Sequence, residues 1–426
     1  MSDLAFAPLA RFAEVVMGQS PGADLCNTEV RGLPFLQGCA EFGARHPHSD
    51  VYCSPPLRVA KAGSVLISVR APVGTMNYAD QDYCIGRGLG AFKAKPSVSN
   101  TVFLKHAVEL NAAYLHRRSQ GSTFAAVSTD DVKTVPIPVF KPEKQEKIAS
   151  ILTGIDTAIE KTEALIAKYQ QIKAGLMHDL FTRGVLPNGQ LRPPREQAPE
   201  LYQETAIGWI PREWGVSTLR ACLLGNPTNG IYKSADQIGT EGTLMVGQTA
   251  FTVERSVDFS LCRRGVVSPA EIRHYGLAEG DVLMTRVFAI IEGVGLPTLV
   301  PHIPEPAVYE SNMMRLQVNV RSVIPRLLFE WLRSPTARAH ISSRVNASNQ
   351  CSVNQSAINP LPVPIPDHDE QNWISLRIEA ADKRIATEVT ILEKLKEKKV
   401  GLMHDLLTGK VPVNIESKTT TTEAVA

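Results

Sequence analysis

The hexapeptide GLMHDL occupies residues 175–180 and recurs, letter for letter, at residues 401–406. The copies lie 226 positions apart, and an ungapped comparison at that offset extends well beyond them. KYQQIKAGLMHDLFTRGV (168–185) faces KLKEKKVGLMHDLLTGKV (394–411). The repeated segment is therefore much longer than six residues.

The similarity continues upstream with a slightly different offset. Gln145 still aligns with Gln371 at 226, whereas AGSVLISV (62–69) resembles EGDVLMTR (279–286) at an offset of 217. The whole chain is therefore a tandem duplication. In each half, a variable stretch precedes a closely matched one.

The matched stretch has the pattern of a long helix. Its apolar residues recur at steps of three, four and seven, and Glu and Lys fill the other faces. Pro142 suits the start of the first helix, and Gly184 with Pro187 can end it. About 38 residues at 1.5 Å each give a helix of about 57 Å, which needs a partner for its apolar stripe. The stripes are Ile148, Leu152, Ile155, Ile159, Ile166, Tyr169, Leu176 and Leu180 in the first copy, and Ile374, Ile378, Ala381, Ile385, Leu392, Leu395, Leu402 and Leu406 in the second.

The variable stretches favour mixed α/β globular domains, because short apolar runs such as VLISV and DVLMT are bounded by Gly, Pro, Asn and Asp. The proline-rich, polar segment between the halves is typical of a linker. The predicted organisation is a first globular domain (1–141), a first long helix (142–185), a linker (186–213), a second globular domain (214–366), a second long helix (367–411) and a disordered tail (412–426).

Composition indicates a soluble, cytoplasmic protein. The 426 residues suggest more than one domain, and 43% are hydrophobic. Arg11 and Glu14 interrupt the opening apolar run, so it does not resemble a secretion signal, and no apolar stretch is long enough to span a membrane. The seven cysteines form no CxxC pair and no zinc-ligand spacing, which favours reduced thiols and no metal site.

The sequence shows no catalytic motif. A phosphate-binding loop, HExxH, GxSxG and a kinase motif set are all missing. His178 and Asp179 are adjacent on a helix and point about 100° apart, so they cannot form a hydrogen-bonded dyad. We therefore predict a non-catalytic chain without a cofactor of its own.

The charge of the globular domains gives only a weak indication of nucleic acid. The net charge of the chain is +2, but 12 of the 13 basic residues between 214 and 366 are Arg. Arg is suited to guanine edges and phosphates, and it also forms ordinary surface ion pairs. Charge alone is therefore compatible both with DNA contacts and with ordinary surface ion pairs.

Several motifs resemble the specificity subunit of type I restriction-modification enzymes. They are LPFLQGCAEFG (33–43), VLISVRAPVG (65–74), YCIGRGLGAF (83–92), the PxP-then-EKQEKI entry to a long helix, and the doubled GLMHDL. The resemblance spans nearly the whole chain. It implies two α/β target-recognition domains, each followed by a long helix, with the helices paired as an antiparallel coiled coil of pseudo-twofold symmetry.

The resemblance also implies function and partners. Each recognition domain reads one half of a split, asymmetric site in double-stranded DNA, and two methyltransferase subunits dock on the assembly. Those subunits bind S-adenosylmethionine and methylate adenine at N6, and restriction subunits cleave the DNA. The helices then act as a ruler between the half-sites. The second domain departs from the pattern, because EGDVLMTRVFAIIEGVG lacks the Arg-Ala-Pro of the first domain and nothing repeats IGRG.

Polar and basic residues in loops are the candidates for DNA contact, since such side chains hydrogen-bond to base edges and phosphates. An ordinary solvated or ion-paired role is the alternative for each. The candidates are Gln19, Ser20, Arg45, Arg70, Arg87, Arg117, Arg118, Ser122 and Thr123 in the first domain, and Lys233, Gln248, Arg263, Arg264, Arg286, Arg344, Ser348, Asn349 and Gln350 in the second.

Partner subunits are expected on the helix faces around the repeated hexapeptides, with burial of the apolar stripe as the alternative reading. The candidate residues are Lys168, His178, Asp179, Lys394, Lys396, Lys398, His404 and Asp405. Two rival functions remain at this point: an adaptor with two protein-binding domains, and a single-chain enzyme that recognises and modifies DNA itself.

Overall fold

A computed structural model describes residues 4–119, 126–252, 255–346 and 350–414. The chain divides into two compact units, Met1–Ala164 with Val389–Ala426, and Leu165–Glu388. We call them unit 1 and unit 2. Each unit combines one variable stretch with parts of both long helices.

The strands and helices follow the order expected from a duplicated sequence. Up to the end of the first long helix they are β1 (Phe6–Pro8), α1 (Leu9–Phe12), β2 (Ala13–Met17), β3 (Cys26–Asn27), β4 (Leu33–Leu36), β5 (Tyr52–Cys53), β6 (Val59–Ala60), β7 (Val65–Ser68), β8 (Met76–Tyr78), β9 (Tyr83–Ile85), β10 (Leu89–Ala94), α2 (Thr101–Leu110), α3 (Ala112–Ser119), α4 (Thr129–Lys133), β11 (Pro136–Pro138) and α5 (Pro142–Thr182). The remainder are β12 (Tyr202–Thr205), β13 (Gly208–Pro211), β14 (Gly215–Thr218), β15 (Thr228–Asn229), β16 (Ile238–Gly239), β17 (Thr243–Val246), β18 (Arg263–Gly265), α6 (Pro269–Tyr275), β19 (Val282–Thr285), β20 (Val287–Phe288), β21 (Pro297–Leu299), β22 (Ala307–Tyr309), β23 (Met313–Leu316), α7 (Pro325–Arg333), α8 (Pro335–Ser342), β24 (Cys351–Ser352), α9 (Gln355–Ile358), β25 (Pro362–Ile365) and α10 (His368–Leu407).

The two units share a four-stranded sheet, a parallel strand pair and a two-stranded pair. Unit 1 has a four-stranded sheet in the order β2-β10-β7-β8, and unit 2 has its counterpart in the order β15-β23-β19-β21. A parallel pair accompanies each sheet, β4 with β9 and β17 with β22. A two-stranded pair, β1 with β11 or β14 with β25, joins the two ends of each variable stretch. The duplication predicted from the sequence is thus a duplication of fold.

The long helices run antiparallel in each unit. In unit 1, Asp156 and Glu163 of α5 contact Lys399 and Lys396 of α10, so residue numbers rise along one helix as they fall along the other. In unit 2, Tyr169 and Lys173 of α5 likewise contact Arg384 and Asp382 of α10. The expected antiparallel pairing is confirmed within both units.

The repeated hexapeptides lie in the two cores. Leu180, the last residue of the first copy, is buried in unit 2 with Ile374 and Ile378 from the start of α10. Met403 and Leu406 of the second copy are buried in unit 1, in a cluster that also holds Ile148 and Leu152 from the start of α5. Each copy therefore packs against the globular domain of the other half, and this burial explains its apolar residues.

The end of α5 is fixed by one buried carboxylate of α10. Glu370 accepts hydrogen bonds from the Val185 backbone N–H (2.6 Å), Trp214 Nε1 (2.9 Å) and Arg192 Nη2 (3.1 Å). Gly184 has a φ of +65°, and a Cβ at this position would lie 2.1 Å from Glu370 Oε1. Glycine is thus required both by the backbone conformation and by the space available.

This arrangement corrects the interpretation of residues 186–213 as a linker. The segment contains the β12–β13 hairpin, and Arg192 within it is only 4% exposed because it pairs with Glu370. The polar, proline-rich composition of this segment gave no indication of the buried ion pair, whose two residues are separated by 178 positions in the sequence. The predicted tail at 412–426 begins with Val413, which packs against the unit 1 core, and residues 415–426 lie outside the described residues.

Candidate nucleic-acid interface

In unit 1, four predicted contact residues gather at one end of the four-stranded sheet. Gln19 donates from its backbone N–H to the Ile85 carbonyl (2.9 Å), and the Arg87 N–H donates to Ser20 Oγ (3.4 Å). Arg70 follows β7 at the same end, since the neighbouring Val69 N–H donates to the Gly88 carbonyl (3.0 Å). We call this end, formed by residues 18–20, 69–74, 86–88 and 126–127, the first edge.

Unit 2 has an equivalent end, formed by residues 230–232, 248, 286–297, 310–312 and 350–353, which we call the second edge. Gln248 Nε2 donates to the Val287 carbonyl (3.0 Å), and Arg286 Nε donates to the Ser311 carbonyl (3.1 Å). The predicted contact residues Gln248 and Arg286 are therefore held together by backbone carbonyls of the edge itself.

A close approach of two loops requires glycine at both edges. A Cβ on Gly18 would lie 2.1 Å from the Gly86 carbonyl oxygen, and one on Gly230 would lie 2.2 Å from the Glu310 carbonyl oxygen. The Gly18 N–H donates to Leu89, and the Gly230 N–H donates to Met313 in the same way. These contacts define the correspondence between the two edges.

In both units, the chain returns to the edge after a short helical segment. The Val127 N–H donates to the Val69 carbonyl (2.9 Å), and the Val353 N–H donates to the Arg286 carbonyl (3.0 Å). The candidate loops RRSQGST and RVNASNQ precede these two returns, so they occupy equivalent places. Ser122, Thr123, Ser348 and Asn349 lie outside the described residues.

Arg117 and Arg118 stand at the end of α3, just before the return to the first edge. Both are exposed. Arg118 pairs with Asp131 (3.2 Å), and its guanidinium lies over the Tyr114 ring at 4.2 Å. In unit 2, Arg344 donates to the His340 carbonyl (2.6 Å), and Gln350 is an exposed residue next to β24.

Arg45 is separated from the other candidates of unit 1. Its backbone carbonyl accepts a hydrogen bond from Tyr78 at the end of β8, and Tyr78 pairs with Val65 at the start of β7. Arg70 follows the other end of β7. Arg45 thus lies at the end of the sheet opposite to the first edge.

Three candidates of unit 2 form ion pairs within the protein. Lys233 contacts Glu271 (2.8 Å), Arg263 contacts Glu310, and Arg264 contacts Glu305 through both terminal nitrogens. Lys233 is also largely buried along its side chain. The ion-paired role that the sequence left open is the one seen for these three residues.

Sequence reasoning missed one residue of the second edge, Tyr232, and one residue that braces this edge from outside it, Arg255. Tyr232 occupies the place of Ser20 and is 78% exposed. Arg255, with a φ of +63°, donates to the carbonyls of Leu296 and Pro297 and so braces the 286–297 loop. Burial, and then the nearby charges of Arg333 and Arg338, lower the pKa of Arg255 to about 10. An aromatic residue after a glycine turn could have been noticed in the sequence, whereas nothing in the sequence marks Arg255.

The expected partner-binding residues lie on outward helix faces. Lys168, His178, Lys394, Lys398 and His404 are exposed. Lys396 pairs with Glu163 (2.8 Å) and remains about half exposed. Asp179 pairs with Arg183 four residues further along the chain, and Asp405 pairs with Lys410 five residues further along. In both hexapeptides the His is exposed and the Asp is half-buried in an ion pair, while the Leu and Met side chains are buried or partly buried.

The described residues contain neither a cluster of metal-ligating side chains nor a helix suited to crossing a membrane. Within them, no group of three or more His, Cys, Asp or Glu side chains is placed to hold a metal ion. None of the helices in the described part of the chain is both long and apolar enough to cross a membrane.

The chain is similar to one family of known proteins. Residues 57–171 match the type I restriction modification DNA specificity domain. The chain is 35% identical over 172 residues to the specificity subunit assigned to the type I restriction enzyme MjaX of Methanocaldococcus jannaschii, a match that covers 40% of each chain. It is 22% identical over 321 residues to the MjaVIII specificity subunit of the same organism, covering 75% of this chain and 72% of the relative.

The fold agrees with this match. The crystal structure of the S subunit of a type I restriction-modification system from M. genitalium superimposes with a TM-score of 0.58 at 13% identity, covering 96% of this chain and 97% of that chain. The fold and its two edges define an internally duplicated subunit in which each globular domain is followed by a long helix. The matched domain and these relatives are those of specificity subunits of type I restriction-modification systems, and the chain is similar to them in sequence and in fold.

Proposed function

We propose that the chain is the DNA-recognition subunit of a type I restriction-modification complex and that each edge reads one half of a two-part site. The match of residues 57–171 to a DNA specificity domain supports this function for unit 1. The equivalent fold of unit 2, built on the same sheet order, supports a second reader.

The difference between the two edges carries the further proposal that the site is asymmetric. The backbone contacts of the edges correspond, but Gly86 and Arg87 of the first edge are replaced by Glu310 and Ser311 in the second, and Ser20 is replaced by Tyr232. Hydrogen-bonding side chains at an interface determine which base edges are accepted. Two unlike sets of side chains on one scaffold should therefore select two unlike half-sites.

The chain is proposed to act without catalysing a reaction. It would hold two methyltransferase subunits, on which S-adenosylmethionine binds and adenine is methylated at N6, and it would also recruit restriction subunits. The surfaces of α5 and α10 near the hexapeptides both carry one Lys, one His and one Asp at equivalent positions, 168, 178 and 179 in α5 and 394, 404 and 405 in α10, as two copies of one partner require. The match to a DNA specificity domain disfavours an adaptor that binds no DNA.

A map of N6-methyladenine in the host genome, made with and without this gene, tests the proposal. We expect a split motif that is methylated only when the gene is present. Unchanged methylation would refute it. Incubating the purified chain alone with DNA and labelled S-adenosylmethionine separates the proposal from a self-sufficient methyltransferase, because only the latter transfers label without partner subunits.

A further inference from the structure

Large apolar side chains are exposed on the second edge. Ile290 is 55% exposed, Phe288 and Ile291 are each 38% exposed, and Tyr232 stands nearby on the same edge. On the first edge, the described residues include no comparably exposed large hydrophobic side chain; the corresponding loop there reads RAPVG. The two edges thus differ in polarity as well as in sequence.

The loop that carries Ile290 is held in one conformation by hydrogen bonds. At its base, the Gly295 N–H donates to Thr285 (2.7 Å) and the Thr285 N–H donates to Leu296 (3.0 Å). At its tip, the Gly293 N–H donates to the Ile290 carbonyl (3.2 Å). Arg338 Nη2 donates to the Glu292 carbonyl (2.9 Å). Side chains on a braced loop bind with little loss of conformational entropy.

Packing of Phe288 also fixes the loop. A Cβ on Gly293 would lie 2.0 Å from the Phe288 ring, so the ring rests directly on the glycine backbone. Phe288 belongs to β20, which pairs with β24 where the chain returns from the candidate loop. The exposed isoleucines are therefore continuous with the part of the edge where Arg286 and Gln248 lie.

The surroundings of the loop favour contact with bases over contact with phosphates. Glu292 follows the two isoleucines and is the only charged residue between 287 and 297. A carboxylate is repelled by phosphates, whereas Arg286 and Arg344 nearby can bind them. An aliphatic side chain forms no hydrogen bond, and the thymine 5-methyl is the apolar group that base pairs present in the major groove.

We propose that Ile290 packs against a thymine methyl group in the half-site read by unit 2 and thereby contributes to its specificity. The inference rests on the proposed DNA-recognition function and extends it to a second mode of readout. Unit 1 would read its half-site by hydrogen bonds, and unit 2 would add an apolar contact.

The test uses the complete complex with its methyltransferase subunits and the site found by methylation mapping. Binding is measured on DNA in which each thymine of the second half-site is replaced in turn by deoxyuridine, which lacks the methyl group. For the native chain we expect about a fourfold loss at one position, since burial of one methyl group contributes about 0.8 kcal/mol. Ile290→Ala should lose affinity on thymine DNA and show no further loss with deoxyuridine at that position.

The control is Leu224→Ala, because Leu224 is 63% exposed but lies away from the second edge. Its backbone N–H donates to the carbonyl of Gln317, which follows the C-terminal end of β23, whereas the second edge lies at the N-terminal end of that strand. It should behave as the native chain on every DNA. The proposal is overturned if deoxyuridine has no effect at any position, or if Ile290→Ala retains the native sensitivity to it. It is also overturned if Ile290→Ala weakens binding to unrelated DNA equally.

The two proposals fail in different ways. If the native complex methylates no defined sequence, the proposed function is wrong. If the native complex is specific and Ile290→Ala is indistinguishable from it, only the apolar contact is wrong. Thermal unfolding of the variant should match the native protein, because an exposed side chain contributes little to stability.

Discussion

Lys399 of α10 lies 3.0 Å from Asp156 of α5 and also 3.0 Å from Glu109 of α2, so one lysine joins the long helices to a helix of the globular domain in unit 1. In unit 2, Lys173 contacts Asp382, and these two residues are the counterparts of Lys399 and Asp156 at the offset of 226. The duplication has therefore preserved one interhelical ion pair in two places. In each unit, this pair is placed to hold the helices in register.

Replacing Lys399 should destabilise unit 1, because Glu109 and Asp156 would remain partly buried and would keep only one of their two shared cations, Lys105. For Lys399→Met we expect the free energy of unfolding to fall by about 2–3 kcal/mol, less than for a fully buried pair, since these side chains keep some exposure. Urea denaturation followed by circular dichroism measures the change. Lys396→Met is the matched control, and its half-exposed pair with Glu163 should contribute less than about 1 kcal/mol. Equal effects of the two variants would contradict this assignment.

The same cluster should make stability depend on acid pH. Burial by itself raises the pKa of Glu109, but the contact with His106 and the charges of Lys105 and Lys399 outweigh it and hold the pKa well below the ordinary value of 4.5. A carboxyl group with a depressed folded pKa stabilises the protein above its unfolded pKa and loses that contribution as the pH falls. We expect the free energy of unfolding to decrease more between pH 5 and pH 3 in the native chain than in Glu109→Gln. If the free energies of unfolding of the native chain and of Glu109→Gln fall in parallel with pH, Glu109 does not contribute to this pH dependence.

The parts of the fold that depend on local pattern could be predicted from the sequence. The helical stripes, the glycine at residue 184 and the strand VLISV all follow from periodicity or backbone preference. The contacts that fix their arrangement could not, because they join distant residues by charge. Arg192 with Glu370 is one example, and its burial turned an expected linker into a packed segment. Composition reports average polarity and gives no partner for a particular side chain.

For the candidate DNA contacts too, local sequence predicted some features and long-range contacts determined the others. Gln19, Ser20, Arg70 and Arg87 were chosen as loop residues, and the register of three strands brings them to one end of a sheet. The same register places Arg45 at the end of the sheet opposite to the first edge. Lys233, Arg263 and Arg264 looked equivalent to the others in sequence, but each has an acidic partner far along the chain. Strand register and ion pairs between distant residues therefore determine which basic side chains are free of acidic partners and placed at an edge where they could contact DNA.

Substitution of Arg87 tests whether the first edge contacts DNA. Arg87→Ala should lower the affinity of the complex for its own site by about tenfold, within the 1–3 kcal/mol expected for one arginine–guanine contact. Gel-shift titration on cognate and unrelated DNA measures the effect. Arg45→Ala provides the control in the same unit and should change affinity less than twofold. A similar loss for both variants would mean that the first edge is not where unit 1 reads DNA.

The lysines of the second hexapeptide region should support partner assembly. Reversing the charge of Lys394, Lys396 and Lys398 to Glu should prevent co-purification of the methyltransferase subunits, because three exposed cations within about one turn of α10 become anions and repulsion replaces attraction. Lys383→Glu, at another exposed position of α10, should leave assembly intact. Circular dichroism should show unchanged helix content for both variants. Assembly that survives the triple reversal would exclude these three lysines as the partner contact.

The length of the paired helices should set the spacing between the two half-sites. Removing one heptad from each helix, residues 160–166 and 389–395, preserves the apolar stripe and shortens each helix by about 10 Å, because each residue contributes 1.5 Å. About 10 Å corresponds to about three base pairs of B-form DNA at 3.4 Å per step. We expect methylation mapping to show both half-sites unchanged and the spacer between them shortened. A control that replaces the same heptads with other helix-forming residues of identical pattern should keep the native spacing. If the shortened protein assembles and methylates sites with the native spacer, the helices do not determine the distance between the two readers.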